Sequence, residues 1–421
     1  MSRRKIPATG INLFQLIYIL ISDYEKKSGK RALNLSLGNP DLMPFPEVLQ
    51  AKARMAGAAE YELHTYAEDK NLHQFSEGMI REFTGVELAQ YKHLRAVPIA
   101  GIKTATAILP LACGFHLKKE GRAGFSVVTH LPAYDVMGTW SASYLGVKRI
   151  VWPLTAKDQM AMKMDSLHEA LKTAGVSRPD LIFVIRPGNP AARGASRDEW
   201  TQLIEYCIKN QVRLVNDGAY ATLSEGSHTS LIEVAKDYPE LEWAEMYSVS
   251  KSFSDPGARL GVLVGSQEFV EDFTLIKGNT DSGPVPGVMA AYGDLFKDSA
   301  RTQKMLGDLR KIYRTRLDYL VPQFKKIGLR PACETTAGFF TLWQTPDQAY
   351  GVDLHTESKA KGISRSELFN RLVIEDSGIV GVHFGDEFIR YAVCTDVLNA
   401  EFQKRFEAAI QRIEPKYLTM P

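Results

Sequence analysis

Between about residue 93 and residue 265 the chain alternates short β-rich runs with helix-like stretches, and few folds accept that pattern. The strand candidates are Leu94–Ala100, Gly124–Thr129, Val147–Leu154, Leu181–Arg186, Val212–Asn216, Met246–Val249 and Leu260–Val264. Several are nearly continuous apolar runs, as strands buried on both faces require. Between two of them Ser196-Arg-Asp-Glu199 forms a capping box, and Leu203, Ile204, Cys207 and Ile208 follow on one helical face. Strands that alternate with helices predict a largely parallel α/β sheet.

After about residue 286 the pattern changes. A long helical stretch, Gly287–Ile327, leads to shorter strands around Gly338–Trp343 and Glu387–Val393, and a last helix covers Asn399–Ile413. The division expected is a large α/β domain over residues 50–286 and a smaller α+β domain built from residues 1–49 and 287–421. The apolar run Ile11–Ser22, behind basic residues 3–4, resembles the start of a signal peptide, but Asp23-Tyr-Glu-Lys-Lys27 follows instead of a small-residue cleavage site. It is also too short to span a bilayer. It reads as an apolar helix packing on the smaller domain.

Composition removes several classes of function. Across 421 residues, 51 Lys and Arg face 49 Asp and Glu, leaving a net charge of +2. Without a basic surplus nothing points to nucleic acid or an anionic membrane as partner. Cys113, Cys207, Cys333 and Cys394 form no C-x-x-C pair, so neither a disulfide framework nor a zinc site is expected and a reducing, cytoplasmic setting fits. The histidines include no H-E-x-x-H pair, and no metal is expected.

Four motifs lie just past strand candidates. In Ser248-Val-Ser-Lys251-Ser-Phe-Ser-Asp-Pro-Gly257-Ala-Arg259-Leu-Gly261 a lysine is crowded by hydroxyls, and an arginine follows beside two glycines. A partly dry lysine near positive charge has a lowered pKa and can form a Schiff base. Hydroxyls and an arginine suit a phosphate. Taken alone, a surface lysine in a serine-rich loop reads equally well. Asn216-Asp217-Gly-Ala-Tyr220 ends a strand at a carboxylate, where open α/β sheets bind ligands; an ordinary helix-capping Asp reads the same way. Arg186-Pro-Gly-Asn189-Pro-Ala-Ala-Arg-Gly194 is a rigid loop with Asn189 as its ligand-facing group, or a plain connection. Gly101-Ile-Lys103-Thr opens a helix after a strand and offers backbone N–H groups to an anion. It is not a P-loop, and Pro110 within that helix should kink or shorten it.

In this order the four motifs resemble the class I/II aminotransferases, pyridoxal-phosphate (PLP) enzymes of fold type I, over Leu33–Arg412. The fold this implies is a mostly parallel central sheet in a large domain plus a smaller α+β domain. The resemblance implies that Lys251 holds PLP as a Schiff base and that Arg259 holds its phosphate. Ser248 and Ser250 match the hydroxyl positions around the lysine. Asp217 matches the carboxylate paired with the pyridinium nitrogen. Tyr220 and Asn189 match the partners of the ring 3′-oxygen. Gly101, Ile102 and Lys103 match the phosphate-cup turn, and Tyr66 a tyrosine reaching the partner subunit's phosphate. Gly38, in Leu37-Gly-Asn-Pro-Asp41, matches a loop over the substrate. Arg390 matches the arginine for the substrate α-carboxylate.

Three departures stand out. Leu131, before Pro132-Ala-Tyr134, occupies the position of an aromatic that stacks on the PLP ring, with His130 or Tyr134 as substitutes. Arg186 and Ala191-Ala192 replace the first Asn and the Thr-Gly of the usual N-P-x-N-P-T-G. Asn71 replaces a glycine five residues after Tyr66.

The activity implied is ping-pong transfer of an amino group from an amino acid to a 2-oxo acid, in a homodimer with active sites at the subunit interface. Lys103, matching a distal-carboxylate reader of aspartate- and diaminopimelate-type members, points to an acidic donor with 2-oxoglutarate as acceptor. The segment Lys277-Gly-Asn-Thr-Asp-Ser-Gly283 looks similar to one in diaminopimelate aminotransferases. Alternatives on the same scaffold are a β-lyase, decarboxylase or oxidase. A non-catalytic PLP-binding sensor would need a winged-helix segment, for which the roughly 32 residues before the matched region leave little room.

Overall fold

The computed structural model describes residues 13–66, 69–118, 124–224 and 226–418. Residues 3–4 and the start of the apolar run at 11–12 lie outside these, as does the side chain of Asn71. Two compact units form, one from Asn39–Arg314 with Cys333–Phe340, the other from residues up to Gly38 with Thr315–Ala332 and Thr341–Pro421.

The larger unit is built on a seven-stranded sheet. Its strands are β1 (Leu94–Ile99), β2 (Ser126–Leu131), β3 (Lys148–Pro153), β4 (Leu181–Ile185), β5 (Arg213–Asp217), β6 (Trp243–Ser248) and β7 (Gly261–Ser266). The spatial order is β1-β7-β6-β5-β4-β2-β3. β7 runs antiparallel to both of its neighbours, and the other pairings are parallel. β4 is buried at every residue, as its sequence Leu-Ile-Phe-Val-Ile requires when both faces are covered. β6 starts three residues earlier than expected because Trp243, Ala244 and Glu245 pair with β5 and β7; the glutamate hides that start from an apolar-run reading.

The capping box forms as read. Glu199 N–H donates to Ser196 Oγ at 3.2 Å and Ser196 N–H donates to Glu199 Oε2 at 2.9 Å. The helix it opens, Arg197–Asn210, buries Trp200, Leu203, Ile204 and Cys207. Each such side chain contributes about 1.5–3 kcal/mol of hydrophobic stabilisation. The helix after Gly101 spans Ile102–Ala112 and ends two residues past Pro110. The expected continuous stretch Gly287–Ile327 is instead two helices, Pro286–Leu295 and Ser299–Lys326. Asp298 makes the break: its carboxylate accepts the Arg301 N–H at 3.0 Å and restarts the chain as a helix.

The strand Phe340–Gln344, in the smaller unit from Thr341 on, forms a three-stranded sheet with Val382–Phe384 and Phe388–Ala392. The helix Leu13–Ser28 packs there through Ile17 against Ile374, Val380 and Val382. Among the described residues no helix is long and apolar enough to cross a membrane.

Candidate active site

The motifs gather on one edge of the large sheet. Leu131, Asn189, Asp217 and Lys251 sit at or just beyond the carboxyl ends of the parallel strands β2, β4, β5 and β6. Gly101 follows β1, and Arg259 precedes β7, which enters the same edge because it runs the other way. Register completes the alignment, since Gly261 pairs with Ile99 on one side and Ser248 on the other. This edge is where open α/β sheets place their ligands.

Asp217 Oδ1 accepts the Ala219 N–H at 3.0 Å. The element that follows is a three-residue turn of helix whose cap is Tyr220, so Asp217 caps no longer helix. Desolvation raises its carboxyl from the ordinary 3.8 to about 6, opposed by the Ala219 N–H and by the charge of Lys251. A desolvated carboxylate of this kind favours a cationic neighbour.

Tyr220 is buried, with its ring edge-on to Phe339 at 5.5 Å and Phe340 at 5.4 Å. Its hydroxyl oxygen accepts a hydrogen bond from Asn189 Nδ2 at 3.3 Å, so two residues 31 positions apart meet. The Asn189 loop is tied down by Tyr134 N–H, which donates to Asn189 O at 2.7 Å. The Asn216 carboxamide clamps the base of that loop. It accepts from Arg186 N–H and donates to Arg186 O, both at 2.8 Å, while its Nδ2 also donates to Glu245 Oε1 at 2.7 Å. Period two turns Asn216 away from Asp217, so strand alternation could have marked it as a support. The Arg186 side chain is fully buried and donates to Met160 O at 2.6 Å.

Lys251 lies in the short helical turn Val249–Ser252. Ser248 caps it: Oγ accepts the Ser250 N–H at 3.1 Å and has Ser250 Oγ at 2.8 Å and Leu260 O at 3.2 Å as acceptors. The Ser248 hydroxyl therefore serves the loop itself. Thr222 Oγ1 donates to Ser252 Oγ at 2.8 Å, tying the Tyr220 turn to the Lys251 turn, a link the motifs did not disclose.

Arg259 is exposed; its Nη1 donates to Pro256 O at 3.1 Å and its Nη2 lies 3.5 Å from Ala100 O. Gly101 adopts φ 93°, ψ 151°, and a Cβ there would collide with the Arg259 guanidinium. The positive φ is what calls for glycine at 101, since the guanidinium it would meet is the far end of a flexible, exposed side chain. The helix that begins at Ile102 has no acidic residue in its first turn. The Ile102 side chain is buried in the core, so its N–H is what it offers an anion. Lys103 is exposed, with Nζ 5.4 Å from the centre of the Tyr134 ring.

Leu131 and Tyr134 are both partly buried against the core of the large unit. His130 does not substitute for the missing aromatic. It is buried in the sheet, its Nε2 accepts the Ile185 N–H at 3.1 Å, and burial holds its pKa down at about 3. Tyr66 is 75% exposed. In Lys277–Gly283, Asp281 Oδ1 takes the Lys277 ammonium at 2.6 Å and the Gly283 N–H at 2.8 Å, making a self-contained turn.

Gly38 and Arg390 belong to the smaller unit. Arg390 is 3% exposed, pairs with Val382 across the sheet, and donates from Nη2 to Ser36 O at 2.6 Å. The Gly38 segment and Arg390 are therefore joined within that unit.

A crevice edge carrying a lysine, a desolvated carboxylate and an arginine beside a helix start suits a phosphorylated, cationic aromatic cofactor. The fold is that of the PLP-dependent enzymes of fold type I. Similar solved structures include a probable N-succinyldiaminopimelate aminotransferase from Thermus thermophilus, with TM-score 0.76, 20% identity and 94% and 100% of the two chains covered. Another is an aspartate aminotransferase double mutant from Thermus thermophilus, with TM-score 0.75, 18% identity and 97% and 99% covered. Residues 30–406 match the family described as aminotransferase class I and II, and the chain belongs to that family. It is a PLP-dependent aminotransferase acting on amino acids and 2-oxo acids. It is 26% identical over 415 residues to an LL-diaminopimelate aminotransferase of Syntrophobacter fumaroxidans, covering 95% of both chains. To another from Methanocaldococcus jannaschii it is 24% identical over 368 residues, covering 86% of this chain and 80% of the relative.

Proposed function

We propose that the amino donor is diaminopimelate, and that the catalytic groups are those gathered at the strand ends. The observation that carries the site assignment is Asp217, a carboxylate raised to about 6 by desolvation and opposed by Lys251. A protonated ring nitrogen is the partner such a group favours. Gly101, whose missing side chain leaves room for the Arg259 guanidinium, and the first N–H groups of the helix at Ile102 and Lys103 suit a phosphate.

When bound, PLP supplies an electron sink for the bond broken at the substrate Cα. Lys251 takes the proton from Cα and returns it, as general base and then general acid. Asp217 holds a proton on the ring nitrogen, and Tyr220 with Asn189 hydrogen-bonds the ring oxygen. Arg390 is proposed to bind the substrate α-carboxylate, with Gly38 in the loop over it. Leu131 offers the ring an apolar face in place of a stacked aromatic.

The names of the relatives support diaminopimelate over the acidic amino acid expected from Lys103; its far end carries an ammonium beside its carboxylate. Lys103 is a point charge rather than a fork, and reads a carboxylate without demanding bidentate geometry. Tyr66 is proposed to act across a homodimer, and its exposure in the single chain supports that. A cytoplasmic location is proposed as well.

The test is amino transfer from LL-diaminopimelate and from aspartate to 2-oxoglutarate, followed as glutamate formed. Faster transfer from diaminopimelate is expected. A preference for aspartate would overturn the donor assignment, and ammonia, CO2 or pyruvate release without glutamate would overturn the transaminase reading of the site.

A further inference from the structure

We propose that Asp255, anchored by Lys52 and Tyr292, is a positioning residue that sets Arg259 for an anionic group. The proposal rests on the assignment of Lys251 and Arg259 to the cofactor. Seven residues separate these two side chains, and the path between them is strained. Ser254 has φ 52° and Arg259 has φ 48°, both left-handed and neither a glycine. Such residues are energetically unfavourable and persist only where surrounding contacts over-determine them.

Those contacts converge on Phe253 and Asp255. The buried Phe253 ring lies 5.4 Å from Tyr292, 6.0 Å from Phe296 and 6.2 Å from Phe83. Asp255 is 5% exposed, and its Oδ2 accepts both the Lys52 ammonium at 2.8 Å and the Tyr292 hydroxyl at 2.9 Å. Lys52 comes from the helix Pro46–Ala56 and Tyr292 from Pro286–Leu295, so one oxygen of the loop is held by two separate helices. The restraint passes directly to the arginine. Pro256, the next residue, accepts Arg259 Nη1 through its carbonyl at 3.1 Å, and Asp255 O accepts the Ala258 N–H at 3.2 Å to close the turn.

A buried carboxylate is an expensive way to hold a loop if packing alone were needed, since apolar groups of similar volume stabilise as well or better. What the ion pair and phenol add is direction. They fix one end of a left-handed turn whose other end is the guanidinium against Gly101. Asp255 therefore acts on whatever Arg259 binds, and leaves contacts to the rest of the ligand alone.

Pyridoxal, which lacks the phosphate, separates this role from a general loosening of the domain. Dissociation constants for PLP and for pyridoxal are measured on the full chain for wild type, Asp255→Asn, Lys52→Met, Lys52→Arg, Tyr292→Phe and Arg259→Ala. Asp255→Asn and Lys52→Met are expected to weaken PLP by about tenfold or more, the scale of one hydrogen bond to a charged group. Pyridoxal should bind them as it binds wild type. Lys52→Arg, which keeps the charge, should restore most of the PLP affinity, and Tyr292→Phe, which keeps the ion pair, should lose less than Lys52→Met. If Asp255→Asn fails to fold, the Lys52 and Tyr292 variants must show the same phosphate-dependent loss. Equal losses for PLP and pyridoxal would overturn the proposal, as would undiminished PLP binding in variants of a chain where Arg259→Ala weakens it. If Arg259→Ala itself leaves PLP binding intact, the assignment of Arg259 to the phosphate fails instead.

Discussion

Asp217→Asn tests the electrostatic reading of the site without disturbing its shape. An asparagine can still accept the Ala219 N–H, so the turn after β5 survives. In the cofactor-free protein the carboxyl is raised from 3.8 to about 6 by desolvation. Unfolded, the same group ionises near its ordinary value. Between about pH 4 and pH 6 the folded chain therefore holds more protons than the unfolded one, and stability falls as pH rises through that window, levelling off above it. The full cost is about 3 kcal/mol, a ceiling because the carboxylate is partly solvated. The carboxamide that replaces the carboxylate carries no charge and should remove that cost. Urea midpoints of the cofactor-free protein, measured from pH 4 to pH 8, should be higher for the variant at pH 7 and converge with wild type near pH 4. With PLP added, wild type should gain more than the variant, because only the carboxylate pairs with a ring cation. Transaminase activity should fall by orders of magnitude despite the added stability. A variant less stable than wild type at pH 7 without cofactor, or midpoints whose separation does not change between pH 4 and pH 6, would refute this account of Asp217.

Gly101→Ala forces a Cβ onto the Arg259 guanidinium at φ 93°, ψ 151°, so a loss of about 1–3 kcal/mol in denaturant stability is expected together with weaker PLP binding in a spectrophotometric titration. Lys251→Ala removes the amine assigned to the Cα proton and should lower the rate of the amino-acid half-reaction by about 10²–10⁴-fold in stopped-flow absorbance. Thr222→Val leaves the buried Ser252 hydroxyl without the partner that now donates to it, and should cost about 1–3 kcal/mol in urea unfolding while loosening the link between the Tyr220 and Lys251 turns.

The strands and the site motifs were legible in the sequence for one physical reason. Strands covered on both faces, such as Leu181–Ile185, must be continuously apolar, and the polar residues that interrupt them at their carboxyl ends stand out against that background. Asn189, Asp217 and Lys251 are each marked in this way, and parallel topology brings marked ends to one edge. The start of β6 was not legible, because Glu245 breaks the apolar run, and it is tolerated in the sheet through bonds that include those to Asn216 and to the Ile232 N–H. The division of Gly287–Ile327 into two helices was not legible either, because no glycine or proline marks the break. Asp298 does so with a side chain that reads as an ordinary helix-surface acid until its bond to Arg301 is seen.

The supports of the site are hidden for a different reason. Asn216 and Glu245 meet because β5 and β6 pair in one register, and a shift of one residue would separate them. Asp255 meets Lys52 across 203 positions of chain and Tyr292 across 37. No spacing rule reaches those distances. A motif records which residues face a ligand, because ligand geometry fixes their spacing along a loop. It does not record what holds that loop in place, because any helix that passes close enough can supply the partner. The loop from Lys251 to Arg259 shows the consequence. Its lysine and arginine could be named from the sequence, whereas the two left-handed residues and the carboxylate that restrains them became visible only with the helices around them.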